Sequence, residues 1–126
     1  MHKSRLAGFI IDCETSDLNA AAEFWSRALG MEAVALPGAE GEKYVRLQDP
    51  HQALHVEVQK VDHPSRVHLD IETDDIEAEV KRLESLGAKR IGNVQSWCVM
   101  EAPTGQKFCV VRKVSPEFDD KANLWR

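Results

Sequence analysis

The chain of 126 residues carries 43% hydrophobic and 29% charged residues, the proportions of one globular domain able to bury a core without disulfide or metal staples. Its 21 acidic against 16 basic residues leave a net charge of -5, and no basic stripe gathers on one segment, which argues against nucleic acid or an anionic membrane surface as partner. No apolar run approaches the ~20 residues of a membrane span, and the opening MHKSRLAG lacks the apolar stretch of a secretion signal, so a cytoplasmic protein is expected.

Arg5 to Glu14 alternates as a strand, with Phe9, Ile11 and Cys13 on the face expected to meet a helix and Ile10, Asp12 and Glu14 on a face expected to line a cleft or water. Thr15-Ser16-Asp17 offers capping side chains. From Leu18 the positions Ala21, Ala22, Trp25, Ala28 and Leu29 keep helical spacing until Gly30, a residue suited to a left-handed helix end. Glu32 to Leu36 reads as a short strand, Pro37 to Gly41 as a turn, Glu42 to Leu47 as another strand and Asp49-Pro50-His51 as a turn. Ala53 to Val61 then sets Leu54, Val56 and Val58 against His55, Glu57 and Gln59, a half-buried strand with one polar face.

Asp62-His63-Pro64-Ser65 is the hinge, because proline cannot donate to a strand ladder and restricts the residue before it. Beyond it the chain repeats itself. Asp12, Glu14, Thr15 and Asp17 recur as Asp70, Glu72, Thr73 and Asp75, and Leu18 as Ile76, which marks a duplicated module. In the second copy Val67, Leu69 and Ile71 take the helix-facing side, while Arg66, His68, Asp70 and Glu72 take the polar one. Asp74 and Glu77 have capping-box spacing, Ile76, Val80, Leu83 and Leu86 mark a helix face, and Gly87 ends it. Strands follow at Lys89 to Ile91, Ser96 to Glu101 and Lys107 to Arg112, with turns at Gly92-Asn93 and Ala102-Pro103-Thr104-Gly105. The last residues place Phe118, Leu124 and Trp125 among charges and read as an arm laid over a surface, either a cap or a dimer contact.

The expected architecture is one α+β domain over residues 1–126. It comprises a β-α-β-β-β module at about 5–61, a second at about 65–113 and a C-terminal arm at 114–126. Three cysteines, Cys13, Cys98 and Cys109, form no CxxC pair and sit in strand-like segments, so they read as buried thiols rather than as a disulfide framework or zinc knuckle.

Ser16-Asp17-Leu18 followed by Ala22-Glu23-Phe24-Trp25 and Leu29-Gly30, then His68-Leu69-Asp70, Asp74-Asp75-Ile76, Leu86-Gly87-Ala88 and Ala102-Pro103-Thr104-Gly105 with Phe108-Cys109, resemble the glyoxalase/bleomycin-resistance/extradiol-dioxygenase (vicinal oxygen chelate) superfamily, and within it the small glyoxalase-like domain proteins. The resemblance implies paired modules that form a curved, incomplete eight-strand barrel around a cleft, with helices on the convex side. It also implies a homodimer, and in the enzymes a divalent metal held by the first and last strands of each module. Counted on that pattern, His68 falls at a ligand position, Ile10 falls where no ligand is offered, Cys109 stands where a glutamate is usual, and only a register slip brings His55 or Glu57 in. No metal is expected on this count. Were one held, His68, Glu57 or His55, and Cys109 would hold it.

The cleft residues are therefore His68 as the acid/base group, with Asp12, His55, Glu57, Asp70, Trp97 and Cys109 as ligand contacts. Two functions stand side by side. One is a small-molecule lyase or isomerase that uses His68. The other is a metal-free protein that binds or sequesters a small, cationic organic compound, for which carboxylates in the cleft would be suited.

Overall fold

A strand, a helix and three further strands occur twice in succession: β1 (His2–Glu14), α1 (Leu18–Leu29), β2 (Glu32–Ala35), β3 (Tyr44–Gln48) and β4 (His55–Val61), then β5 (Arg66–Thr73), α2 (Ile76–Ser85), β6 (Lys89–Val94), β7 (Trp97–Glu101) and β8 (Lys107–Arg112). The C-terminal segment adds α3 (Phe118–Lys121) and a ninth strand, β9 (Asn123–Trp125). The computed structural model describes residues 1–126 and is α+β, as the duplicated pattern predicts. Backbone contacts divide the chain into two units, Phe9–Val67 and Met1–Gly8 with His68–Arg126.

In the 9–67 unit the strand order is β2-β3-β4-β1, with β2/β3 and β3/β4 antiparallel. One face carries the core, where Ile11 of β1, Val45 and Leu47 of β3, and Val56 and Val58 of β4 meet Leu18 and Ala22 of α1, with Phe9, Cys13 and Trp25 packed around them. The Asp17 carboxylate caps α1 by accepting from the Ala20 N–H at 3.1 Å. At the other end Gly30 takes φ 68°, a left-handed conformation in which a side chain would cost energy, and its N–H returns to the Ser26 carbonyl. Asp49 holds the β3–β4 turn by accepting from the N–H groups of His51, Ala53 and Leu54. The segment read as a plain turn at Pro37 to Gly41 is a short 3-10 helix, Gly38–Glu42, so β3 starts at Tyr44.

In the other unit the order is β1-β5-β8-β7-β6, and β9 pairs with β1 through Ser4↔Asn123 and His2↔Trp125. Val80 and Leu83 of α2 pack on Cys98, Met100, Phe108 and Val110, with Ile71 and Ile76 at the margin. Three local expectations are corrected here. Asp75, not Asp74, caps α2 by accepting from Ala78 N–H at 3.1 Å, while Asp74 accepts from Lys3 N–H and Glu77 pairs with Arg90, so no capping box forms. Gly92 and Asn93 lie inside β6 at an irregularity in the β6–β7 register, and the hairpin turns at Gln95-Ser96, with Gln95 at φ 51°. Leu69 and Val67 do not meet a helix; they are 52% and 58% exposed, and of the three positions only Ile71 reaches the α2 core.

The arm is fastened by polar contacts rather than by length. The fully buried Glu72 carboxylate accepts from the N–H groups of Val114 and Ser115 and from the Ser115 hydroxyl, and Arg5 stands 3.6 Å away. Phe118 is buried and Trp125 lies under Arg82, whose guanidinium is 3.8 Å from the ring centroid. The Trp125 indole N–H donates to the Ser4 hydroxyl. Arg82 in turn donates twice to the buried Glu79, which also accepts from His2 Nε2 at 2.8 Å.

Burial works against the Glu79 charge, but hydrogen bonds from Arg82, His2 and Ser4 outweigh it and hold the carboxyl below the ordinary value of 4.5. A carboxyl depressed by folding contributes stability that is full above the unfolded value and is lost as pH falls through the folded one. Glu79→Gln is therefore expected to lose roughly 1–3 kcal/mol near neutrality, and the gap to wild type should close as pH is lowered from about 6 toward about 3. Urea unfolding at stepped pH measures it, and a gap independent of pH would refute the account.

Candidate functional site

Strand alternation selects the chemistry-bearing faces. On β5, Ile71 points to the α2 core, so His68, Asp70 and Glu72 leave on the opposite face. On β8, Phe108 and Val110 face α2, so Cys109 is turned away from it; on β7, Cys98 and Met100 do the same for Trp97 and Val99. Register then aligns these faces. β5 and β8 are parallel with Asp70 opposite Cys109, and β7 and β8 are antiparallel with Val99 opposite Cys109.

The result is a close group. His68 Nε2 lies 3.4 Å from Asp70 Oδ1, and one ligand-type atom each from His68, Asp70 and Cys109 falls within 4.8 Å of the others. Asp70 is buried, and its Oδ1 accepts no hydrogen bond, because the His68 contact lacks the geometry of one. That atom differs from the Glu72 carboxylate on the same face, which is satisfied by three donors. His68 and Cys109 are half-buried, so the group is neither sealed nor fully in solvent. Trp97 is half-buried on the same face.

The remaining predicted residues occupy the 9–67 unit. Val56 and Val58 face α1, which turns His55 and Glu57 to the other side, where His55 Nε2 stands 3.6 Å from Glu57 Oε2. Arg46 and Gln48 of β3 lie opposite them in register, and Tyr44 accepts from Gln59 Nε2 at 2.9 Å. Asp12, between the core residue Ile11 and the core-packed Cys13, is 2% exposed and pairs with Arg66 at 3.5 Å. The seven predicted site residues thus fall into two sets, Asp12, His55 and Glu57 on one unit and His68, Asp70, Trp97 and Cys109 on the other.

Asp70, expected from the sequence as a ligand contact only, stands among the ligand-type atoms around His68 and Cys109. Two signals were at hand: the i, i+2 spacing from His68 puts Asp70 on the same strand face, and a carboxylate there is a metal-ligand type. A divalent ion, which the resemblance implies, is compatible with the ligand types of this group. Imidazole, carboxylate and thiolate together suit zinc, whereas a thiolate does not suit the hard ions that prefer all-oxygen sets. The buried Asp70 Oδ1 without a hydrogen bond is the structural observation that agrees with a cation there.

The family model described as "Glyoxalase-like domain" matches residues 8–111. A search of curated proteins finds no match. Among solved structures, a hypothetical protein from Bacillus halodurans C-125 superposes with a TM-score of 0.63 at 11% identity, covering 88% of this chain and 96% of its own. A protein described as an NAD-dependent benzaldehyde dehydrogenase from Legionella pneumophila gives 0.61 at 8% identity, covering 83% and 99%. Methylmalonyl-CoA epimerase from Mycobacterium tuberculosis gives 0.58 at 16% identity, covering 86% and 88%. At these identities the likeness shows a shared fold.

The three cysteines separate by environment. Cys98 is buried in the α2 core and its thiol is pushed up by that burial; the Cys13 thiol is also pushed up, chiefly by burial. Of the three thiols expected to be buried only Cys98 is; Cys13 is half-buried, and so is Cys109, because strand alternation turns it to the face opposite α2. A mild thiol reagent is expected to modify Cys109 on the order of tenfold faster than Cys98 in the folded protein. Mass mapping of the labelled positions checks it, and equal rates would contradict the assigned strand faces.

Proposed function

The chain belongs to the glyoxalase-like domain family, and we propose that within it this protein is a small-molecule enzyme of the isomerase or lyase kind, with His68 as the group that moves a proton. The observation that carries the reading is the convergence of His68, Asp70 and Cys109 on the strand face opposite α2. An imidazole is the side chain whose ordinary titration range lies nearest neutrality, which suits it to take a proton from carbon and return it. Asp70, buried 3.4 Å from Nε2, would hold the ring in place and answer the positive charge that a proton transfer creates. Trp97 and Cys109 would supply an apolar wall, and Asp12, His55 and Glu57 are proposed as ligand contacts on the 9–67 unit.

The similarity to a protein named as a methylmalonyl-CoA epimerase supports isomerase chemistry as a starting point. The proposal extends to a homodimer in the cytoplasm; no helix is long and apolar enough to cross a membrane. A divalent ion held by His68, Asp70 and Cys109 would supply a Lewis acid for a ligand oxygen, with His68 then serving as a ligand in place of the base.

A second reading, a binder of cationic organic compounds without turnover, draws on the buried Asp70 oxygen that no hydrogen bond satisfies. The two separate by experiment. In D2O, a panel of small carbonyl and thioester compounds with an acidic C–H should show deuterium incorporation by NMR with the wild type, lowered about 100-fold or more in His68→Ala. Exchange that survives His68→Ala discards the catalytic role. Absence of exchange, together with a melting temperature raised only by cations, favours the binder.

A further inference from the structure

We infer that the face of β8, β7 and β6 beside His68 is a specificity subsite for a flat, uncharged aromatic group, and that the substrate is accordingly a neutral aryl carbonyl compound. The subsite stands on strand register; the word substrate rests on the proposed acid/base role of His68.

The subsite runs across the strands. Asp70 of β5 is the register partner of Cys109 on β8, Cys109 of Val99 on β7, and Val99 of Gly92 on β6. Register partners turn their side chains to one side of a sheet. Here it is the side opposite α2, because the strand neighbours Val110, Cys98 and Met100 fill the α2 core. From Asp70 the row therefore steps down from a thiol to an isopropyl group to no side chain at all. Three strand spacings of about 4.8 Å make it roughly 14 Å long. All of it belongs to the unit that holds His68.

Taller rows stand on either side. Trp97, two residues before Val99 and opposite Val94, bounds the row with an indole and a branched apolar group. Beyond Val99 in the other direction Glu101 is the register partner of both Lys89 and Lys107, and Lys107 Nζ stands 3.5 Å from Glu101 Oε1. Between them lies a shallow trough with an apolar floor, and its near end is the His68–Asp70–Cys109 group.

Gly92 keeps the far end open. It sits at the β6–β7 irregularity, yet it is not among the glycines with positive φ, so no left-handed turn requires it. A Cβ at this position would meet no heavy atom within 4 Å, so no packed neighbour requires it either. Glycine inside a strand costs chain entropy and contributes no packing, and close approach by a ligand is one of the uses that offsets the cost.

The floor selects the occupant. A carboxylate or phosphate laid on Cys109 and Val99 would lose water without gaining a partner and would meet the buried Asp70 at one end, while the two lysines of this face already flank Glu101. An uncharged group fits instead. Flatness follows from Trp97, since an aromatic ring packs on an indole edge-to-face or offset and also lies low over a valine and a glycine. A ring on Val99 that reaches toward Gly92 leaves its carbonyl and acidic C–H on the Asp70 side, where His68 takes the proton.

The probes are phenylacetone, which carries the ring, butanone, which lacks it, and phenylpyruvate, which adds a carboxylate. Ligand-observed NMR with full-length wild type and His68→Ala reads binding apart from turnover. Phenylacetone should bind both proteins about tenfold or more tighter than either of the other two. Gly92→Leu, which fills the far end, should weaken phenylacetone by about tenfold, with Gly92→Ala between it and wild type, and Trp97→Ala should weaken it as well. Equal affinity for phenylacetone and butanone overturns the aromatic subsite, and equal affinity for phenylpyruvate overturns the uncharged class. Undiminished binding in Gly92→Leu overturns the trough. Should Gly92→Leu fail to fold, Gly92→Ala and Trp97→Ala decide, and undiminished binding in both has the same meaning.

Deuterium exchange on the same compounds, measured over the uncatalysed rate, separates this inference from the reading it rests on. Wild type should accelerate phenylacetone about tenfold more than butanone, and Gly92→Leu should lower that ratio. Ring-selective binding with no exchange on any compound sinks the enzyme and leaves the subsite. Exchange with no preference for the ring sinks the subsite and leaves the enzyme.

Discussion

One register carries the chemistry of this protein: the parallel pairing of β5 with β8 that sets Asp70 opposite Cys109. Because strand side chains alternate with a period of two, a slip of a single residue would turn His68 and Asp70 toward α2 and present Leu69 and Ile71 instead. The pairing is pinned from behind by the α2 core, where Ile71, Phe108 and Val110 pack with Val80 and Leu83. Apolar burial on one face thus sets the positions of polar groups on the other, and neither can change without the other.

Buried carboxylates show what the fold tolerates and what it leaves open. Glu79 is answered by His2 and Arg82, and Glu72 by three donors and an arginine, which is the ordinary condition for a charge removed from water. Both serve the same mechanical end, since Glu72 ties down the chain after β8 and the Glu79–Arg82 pair underlies Trp125 of β9. Asp70 lies on the face of Glu72 and is almost as buried, yet Oδ1 lacks a hydrogen bond. Asp70 draws attention as a functional acid because ligand-type atoms of His68 and Cys109 stand beside it.

The duplicated design has diverged in use. Asp17 and Asp75 keep one role, capping α1 and α2 through the third residue along. Glu14 and Glu72 have parted, the first exposed at the end of β1 and the second buried as the anchor of the C-terminal arm. Asp12 pairs with Arg66, whereas Asp70 stands with His68 and Cys109. Only the second copy places a histidine two residues before its aspartate, and the acid/base and metal chemistry proposed for the chain follows from that difference.

Much of this was legible in the residues themselves. Period-two and helical spacing located the paired β-α-β-β-β order, Gly30 and Gly87 closed the helices, and alternation alone put His68 and Asp70 on one face of β5, because these signals are local and repeat within a few residues. The repeat even held the correct cap, since Asp75 answers Asp17, although Asp74 with Glu77 offered a competing box. What the chain's tertiary structure decided were relations between distant residues. Cys109 meets Asp70 only through strand pairing, Glu72 is buried because the chain at Val114 and Ser115 returns to it, His2 and Trp125 are bound into structure through α2 and β1, and Gly92 serves a strand irregularity instead of a turn. Such contacts depend on register and chain return, which no single stretch of sequence encodes.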